Sequence, residues 1–337
     1  MSTGVFSITK EEALRKAGPS DLIELVPLAG DDPLYLPKML LEELVCAIVT
    51  AEFIHLSGPT GSAKSALLEA LHLAPENFTT LCAHLGFAVK PLKVFPIEMA
   101  IYEAPGDLWG RRALRGGSTL DEPSRIVEAI KEAAAAQGFY PLIWLREIGR
   151  VMSAAIQGGL LNLMVKGDVV LPGGERINGR RIAWVADSNY QAEGDSTHTL
   201  VTFDDALRRR FSINLTLDYL RPVQEMQVLA HIMVRDPSYG AVDKELIKKV
   251  VQMGVVIRKH RSEGNLLSVP PPTIYGYLSF LRFAKALSHL SLQHVAQATL
   301  LGNASRDDDK FVQSVLAGAF GLKPAEGEDA PRGANLL

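Results

Sequence analysis

The sequence predicts an α/β fold in which a parallel sheet lies between helices, followed by a small all-helical domain. Two observations carry this. From Leu40 to Leu220 short apolar runs of strand length alternate with helix-length amphipathic segments, the pattern of a parallel sheet covered by helices. From Arg221 onward only helical periodicity remains. The expected strands are Phe53 to Leu56, Val94 to Met99, Leu142 to Leu145 and Ile182 to Ala186, with another near Ile213 to Leu217. The expected helices of the second domain are Val223 to Val234, Lys244 to Arg258, Thr273 to His289 and Asp309 to Phe320.

Each boundary has a local reason. Residues 1–39 read as a lead-in segment, because Gly30, Asp31, Asp32, Pro33 and Pro37 break periodicity before a helix that starts near Met39. Residues 40–220 form the α/β domain and 221–322 the helical one. Residues 323–337, rich in Pro, Gly, Ala and acid, are expected to be a flexible tail. Two domains suit a chain of 337 residues.

Composition narrows the function. An apolar fraction of 47% with 22% charged residues is that of a globular protein. A net charge of −3 gives no overall basic excess, so nucleic acid is not an expected partner. The arginines that could form a basic stripe are scattered: Arg111, Arg112 and Arg115; Arg176, Arg180 and Arg181; Arg258 with Lys259 and Arg261. Cys46 and Cys82 stand among apolar residues outside any ligand spacing, so both are expected to be buried, reduced thiols. The start of the chain lacks a signal-peptide pattern, and the apolar stretch Leu44 to Leu56 is cut by Glu52 and preceded by Glu42 and Glu43. A cytoplasmic protein without membrane insertion is the expectation.

The residues that carry chemistry begin with Gly58, Pro59, Thr60, Gly61, Ser62, Ala63, Lys64 and Ser65, set between the apolar run Phe53 to Leu56 and the helical Ala66 to Leu73. Strand, Gly-rich loop, Lys-Ser, helix is the order of a phosphate-binding P-loop. Its backbone N–H groups wrap the phosphates, and the helix N-terminus adds partial positive charge. Lys64 would reach the β and γ phosphates of ATP or ADP, and Ser65 would hold Mg²⁺. The strict pattern wants glycine where Ala63 stands. If that position needs a positive φ, an L-residue costs about 1–2 kcal/mol. A Gly/Ser loop that merely caps a helix is the alternative.

About eighty residues on, an apolar strand should end in two acids that position the metal and the attacking water. Pro141 to Leu145 supplies the strand, but it ends in Arg146 and Glu147. Glu147 can polarise water. Arg146 stands where the metal-supporting aspartate is expected, and two unit charges 4 Å apart interact at about 4 kcal/mol for an effective dielectric near 20. An inward guanidinium would therefore oppose the metal, whereas an arginine is long enough to swing out or to pair with phosphate. Next, the strand Trp184 to Asn189 ends in an Asn that either orients water or caps a turn. Finally Arg208, Arg209 and Arg210 precede Phe211, forming either a salt-bridged surface or an arginine presented to a neighbouring subunit's phosphate.

Taken in order, these landmarks resemble the MoxR group of AAA+ ATPases, and within it the CbbQ/NirQ/NorQ family. Asp32 to Pro37 followed by a helix, the strand at Phe53 and the GPTG loop are similar to the family's opening. Asp107 to Arg111 with Gly116 and Gly117 resembles its DLxGR…GG segment. Asn189 through Arg208, Arg209, Arg210 and Phe211 to Asp218 and Tyr219 resembles its sensor Asn and RxRF…DY segment. The resemblance covers about residues 30 to 220 well and the helical part loosely.

It implies nucleotide contacts at Gly58 to Ser65, a catalytic glutamate at Glu147, a sensor at Asn189 and an arginine finger at Arg210, with Arg208 as second choice. It further implies a homo-oligomeric ring, a hexamer, that uses ATP to remodel a client protein with a von Willebrand A-type adaptor. Asp168 to Ile182, turning at Pro172, Gly173 and Gly174, looks like the hairpin that precedes the sensor strand in this group. The chain departs from the family at Ala63 and Arg146, and it lacks the Pro-Gly after the sensor Asn. It also has Pro270, Pro271, Pro272 and Thr273 where a sensor arginine of the helical domain is usual, and Arg282 lies too far along the helix to replace it.

Two functions follow. One is an ATPase, weakened by Arg146, that converts ATP to ADP and phosphate and remodels a client. The other is a hydrolysis-deficient scaffold subunit that acts by binding partners.

Overall fold

The computed structural model describes residues 21–26, 32–115, 118–135, 137–148, 153–171, 174–189, 205–239, 243–263, 269–302 and 304–320. The tail and most of the lead-in segment therefore lie outside the described residues, as do Gly116, Gly117, Pro172 and Gly173. The chain divides into two compact units, one built from Ile23–Gln191 and Ser196–Asp218, the other including everything from Tyr219 onward.

The first unit has α/β architecture. Five strands, β3 (Phe53–Gly58), β4 (Leu92–Glu98), β7 (Tyr140–Arg146), β10 (Ala183–Asn189) and β11 (Ile213–Thr216), form one parallel sheet in the order β11-β3-β10-β7-β4. Both faces are covered, which is why the strands read as continuous apolar runs. Phe53, Ile143, Leu145, Trp184 and Ala186 enter one core with Ile126, Val127 and Ile130 of α4 (Arg125–Ala134) and Ile156 and Leu160 of α5 (Ala154–Leu163). Their strand neighbours Ile54, Leu142, Trp144, Ala183 and Val185 enter the other. There they meet Leu41, Leu44 and Ile48 of α1 (Lys38–Val49), Leu67, Leu68 and Leu71 of α2 (Lys64–Leu73) and Phe78 of α3 (Pro75–His84). Helices α4 and α5 begin at Ser124 and Ser153, whose hydroxyls accept from the N–H groups of Val127 and Ile156.

Three pairs of short strands complete this unit: β1 (Leu22–Leu25) with β2 (Leu34–Pro37), β5 (Gly110–Arg115) with β6 (Ser118–Pro123), and β8 (Asp168–Val170) with β9 (Arg176–Asn178). The last is the expected hairpin, antiparallel with Val169 opposite Ile177.

The second unit is helical. It contains α7 (Pro222–Arg235), α8 (Lys244–Ser262), α9 (Ile274–Ala286), α10 (Leu292–Leu300) and α11 (Arg306–Phe320), with α6 (Asp205–Arg210) belonging to the first unit. Helix α8 buries Ile247, Val250, Val251, Gly254 and Ile257, the i, i+3, i+4, i+7 stripe of an amphipathic helix. Helix α10 is an addition to the expected set. Asp243, Thr273 and Ser291 cap α8, α9 and α10 with side-chain oxygens.

Two expectations change. Cys46 is exposed on α1, whereas Cys82 is buried, its thiol pushed up to about 11 by burial. Arg258 belongs to no basic face, because it is buried in an ion pair with Glu225. Arg282 stacks on Tyr239 and donates to its hydroxyl. Among the described residues no helix is long and apolar enough to cross a membrane.

Candidate functional site

The P-loop follows β3 and ends in the first turn of α2. Gly58 is required by its surroundings, since a Cβ there would stand 2.1 Å from the carbonyl oxygen of Leu217, which passes alongside as β11 pairs with β3. Gly61 has φ 81° and Ala63 φ 73°, so the loop turns twice through the left-handed region. Such turns direct successive N–H groups into one concavity, and the N-terminus of α2 opens onto it. Ala63 thus carries the positive φ that its place in the motif raised as a question, at a cost of about 1–2 kcal/mol for an L-residue.

Lys64 is buried. Its ammonium donates to the carbonyls of Gly58 at 2.9 Å and Pro59 at 2.8 Å and to the hydroxyl of Ser62 at 3.4 Å. Burial pulls its pKa down to about 8, partly opposed by the carboxylate of Asp187. The ammonium is thus held at the loop, and its desolvation strengthens any attraction to an anion there.

Thr60, Gly61, Ala63, Lys64, Ser65, Glu147, Asp187 and Asn189 line a single cleft of about 670 Å³ including its open mouth. Strand order explains the convergence. β10 lies between β3 and β7, so the carboxyl ends of three strands meet above the loop, with Asn189 level with Gly58. Open α/β sheets bind ligands outside those ends. Glu147 follows the last residue of β7 with φ 51°, a strained conformation of the kind that turns a side chain away from the strand direction.

Asp187, unnoticed as a site residue in the sequence, is 3% exposed. Its Oδ1 accepts from the indole N–H of Trp144 at 2.6 Å and the backbone N–H of Glu147 at 3.3 Å. Oδ2 faces the hydroxyl of Ser65 at 3.5 Å. Burial raises its pKa, while Trp144, Glu147 N–H and Lys64 oppose the rise. An acid directly after the apolar run Ile182 to Ala186, two residues before Asn189 and therefore on the same side of the strand, is the signal that could have marked it.

Arg146 takes the outward course. Its guanidinium lies over the ring of Trp144 and pairs with Glu98 at 2.7 Å and Glu69 at 3.3 Å, and it does not line the cleft. Arg208 and Arg210 are exposed on α6, also outside the cleft. Arg208 lies 4.0 Å from Asp205, and Arg210 donates to the carbonyl of Leu161 at 3.5 Å. The structure therefore brings together the loop, Glu147 and Asn189, and leaves both arginines apart from them. Tyr190 and Gln191, after Asn189, lie outside the described residues.

Comparison with family models finds no match. Comparison with curated proteins also finds none. Among solved structures, a protein of Cytophaga hutchinsonii provisionally described as an ATPase is 16% identical, with 83% of this chain and 88% of that chain covered and a TM-score of 0.38. NtrX from Brucella abortus is similar at 14% identity over 75% of this chain, with a TM-score of 0.42. Its complex with ADP is similar at 12% identity over 84%, with a TM-score of 0.43. The chain spans 51% and 58% of those two NtrX chains. This chain's own strand order and loop geometry give an α/β core with a P-loop at the end of its second sheet strand in spatial order.

Proposed function

We propose that the chain binds ATP or ADP at Gly58 to Ser65 and works as a member of an AAA+ ring of the MoxR group, using ATP to remodel a client protein. The observation that carries the reading is the single cleft in which Lys64 and Ser65 meet Glu147 and Asn189. The loop N–H groups and Lys64 hold phosphate oxygens, Glu147 polarises the attacking water, and Asn189 orients it. A hydroxyl and carboxylate lining offers hard oxygen donors, which fits Mg²⁺. Bound at Ser65, that ion would neutralise charge developing on the phosphate oxygens. Similarity of motifs to the CbbQ/NirQ/NorQ proteins supports a hexamer, with a von Willebrand A-type adaptor among its partners.

The alternative is a scaffold subunit that holds nucleotide without hydrolysing it. Its main support in the sequence was Arg146. Because that side chain is tied to Glu69 and Glu98 away from the cleft, the ATPase reading is the better supported of the two.

Lys64→Ala is expected to weaken nucleotide binding at least tenfold, or about 1.4 kcal/mol, in calorimetry. Unchanged affinity would reduce the loop to a helix cap. The ring is tested separately. An exposed finger at Arg210 serves a neighbour's phosphate only in an assembly, so light scattering of the full chain with nucleotide should give a multiple of the monomer mass that Arg210→Ala leaves assembled but inactive. A monomer under every condition would overturn it.

A further inference from the structure

The metal-supporting carboxylate that β7 fails to provide has a candidate one strand away. In the register of β10 against β7, Ala186 pairs with Leu145, so Asp187 stands beside Arg146 at the same height in the sheet. On its other side it is level with Leu56 of β3, the strand that feeds the P-loop. A carboxylate at this point is displaced from the expected place by about one strand spacing, roughly 4.8 Å, and toward the loop rather than away from it.

Its surroundings set its direction. Two donors, the Trp144 indole N–H and the Glu147 backbone N–H, both fall on Oδ1. Oδ2 is thereby turned to Ser65, the hydroxyl of the P-loop that would touch a nucleotide-bound cation. A carboxylate that is 3% exposed is costly unless paired or metal-bound. The ammonium of Lys64 offsets part of that cost, yet it donates to Gly58, Pro59 and Ser62 rather than to Asp187. Trp144 connects the two changes, because its ring carries the outward guanidinium of Arg146 while its N–H fixes Asp187.

We propose that Asp187 is the relocated acidic support of the divalent cation, acting with Ser65 on a nucleotide-bound Mg²⁺ in place of the acid replaced by Arg146. The proposal rests on the nucleotide-binding reading above. Ser65 and Asp187 supply few ligands, as suits Mg²⁺, which keeps several waters and takes the rest from phosphate. Asp187 is a supporting residue for the ion, and Glu147 remains the group for water.

The test is calorimetry on the full chain with a non-hydrolysable ATP analogue, once in EDTA and once in Mg²⁺. The native chain is expected to bind at least tenfold more tightly with Mg²⁺. In Asp187→Asn, whose side-chain oxygen can still accept from Trp144 and Glu147, the ratio should fall toward one, and in Arg146→Ala it should persist. A ratio that survives Asp187→Asn overturns the proposal and makes Asp187 a tether for Trp144. A native ratio near one with tight binding in EDTA overturns it while leaving nucleotide binding intact. No binding under either condition overturns the nucleotide-site reading itself. If Asp187→Asn does not fold, the native chain decides the matter: adding Mg²⁺ to the nucleotide complex should change tryptophan fluorescence, and Trp144→Phe should remove that change. An unchanged spectrum counts against the proposal.

Discussion

Replacing Arg258 with alanine is expected to destabilise the helical unit by about 3–5 kcal/mol, the range found when one partner of a buried ion pair is removed. The guanidinium meets Glu225 with two parallel bonds, Nη1 to Oε1 at 2.7 Å and Nη2 to Oε2 at 2.6 Å. Its side chain is 10% exposed and that of Glu225 3%. Arg258 also donates to the carbonyl of Pro272 at 3.0 Å and lies over the ring of Tyr219. Burial raises the pKa of Glu225 even with the guanidinium in place, so without Arg258 the carboxylate would be buried unpaired or forced to take up a proton. Urea denaturation of Arg258→Ala, Glu225→Ala and the double variant measures the coupling. The double variant should lose less than the sum of the single losses, because each single change leaves a charge stranded. A loss below about 1 kcal/mol in Arg258→Ala would mean that water reaches the pair, as at a surface salt bridge.

The second large effect is expected at Glu147. Changing it to glutamine keeps the size of the side chain and removes its basicity, so ATP turnover should fall by about 10²- to 10⁴-fold, the usual contribution of a positioned general base. The effect on turnover should far exceed that on nucleotide affinity, which in the proposed function the loop N–H groups and Lys64 carry. Steady-state phosphate release and equilibrium binding, measured on the same preparations, separate the two. Equal turnover in Glu147→Gln and the native chain would remove Glu147 from the base role. Binding without any turnover in the native chain would instead favour the scaffold reading.

Much of the α/β unit was legible because its strands are buried on both faces. Such strands read as uninterrupted apolar runs, and all five were expected within a few residues of their observed bounds. The P-loop was legible for a related reason. A strand, two glycines, Lys-Ser and a helix form one local unit, and the close approach of Leu217 to Gly58 and the positive φ of Gly61 account for the glycines. The helices of the second unit followed from apolar stripes at helical spacing, with α10 the exception because its nine residues offer only about two and a half turns of pattern.

What the sequence determined by itself, then, was local: the alternation of strands and helices, the loop, and the residue types at the strand ends. The tertiary structure alone decided which way Arg146 points and what stands beside Ser65. Those outcomes depend on lateral neighbours in the sheet, and in a parallel sheet with crossovers the neighbours come from distant parts of the chain. Asp187 and Ser65 are 122 residues apart in sequence, and Arg146 and Glu69 are 77 apart. No periodicity within a segment reveals such a meeting, because strand order and register are set by packing the whole sheet between its helices.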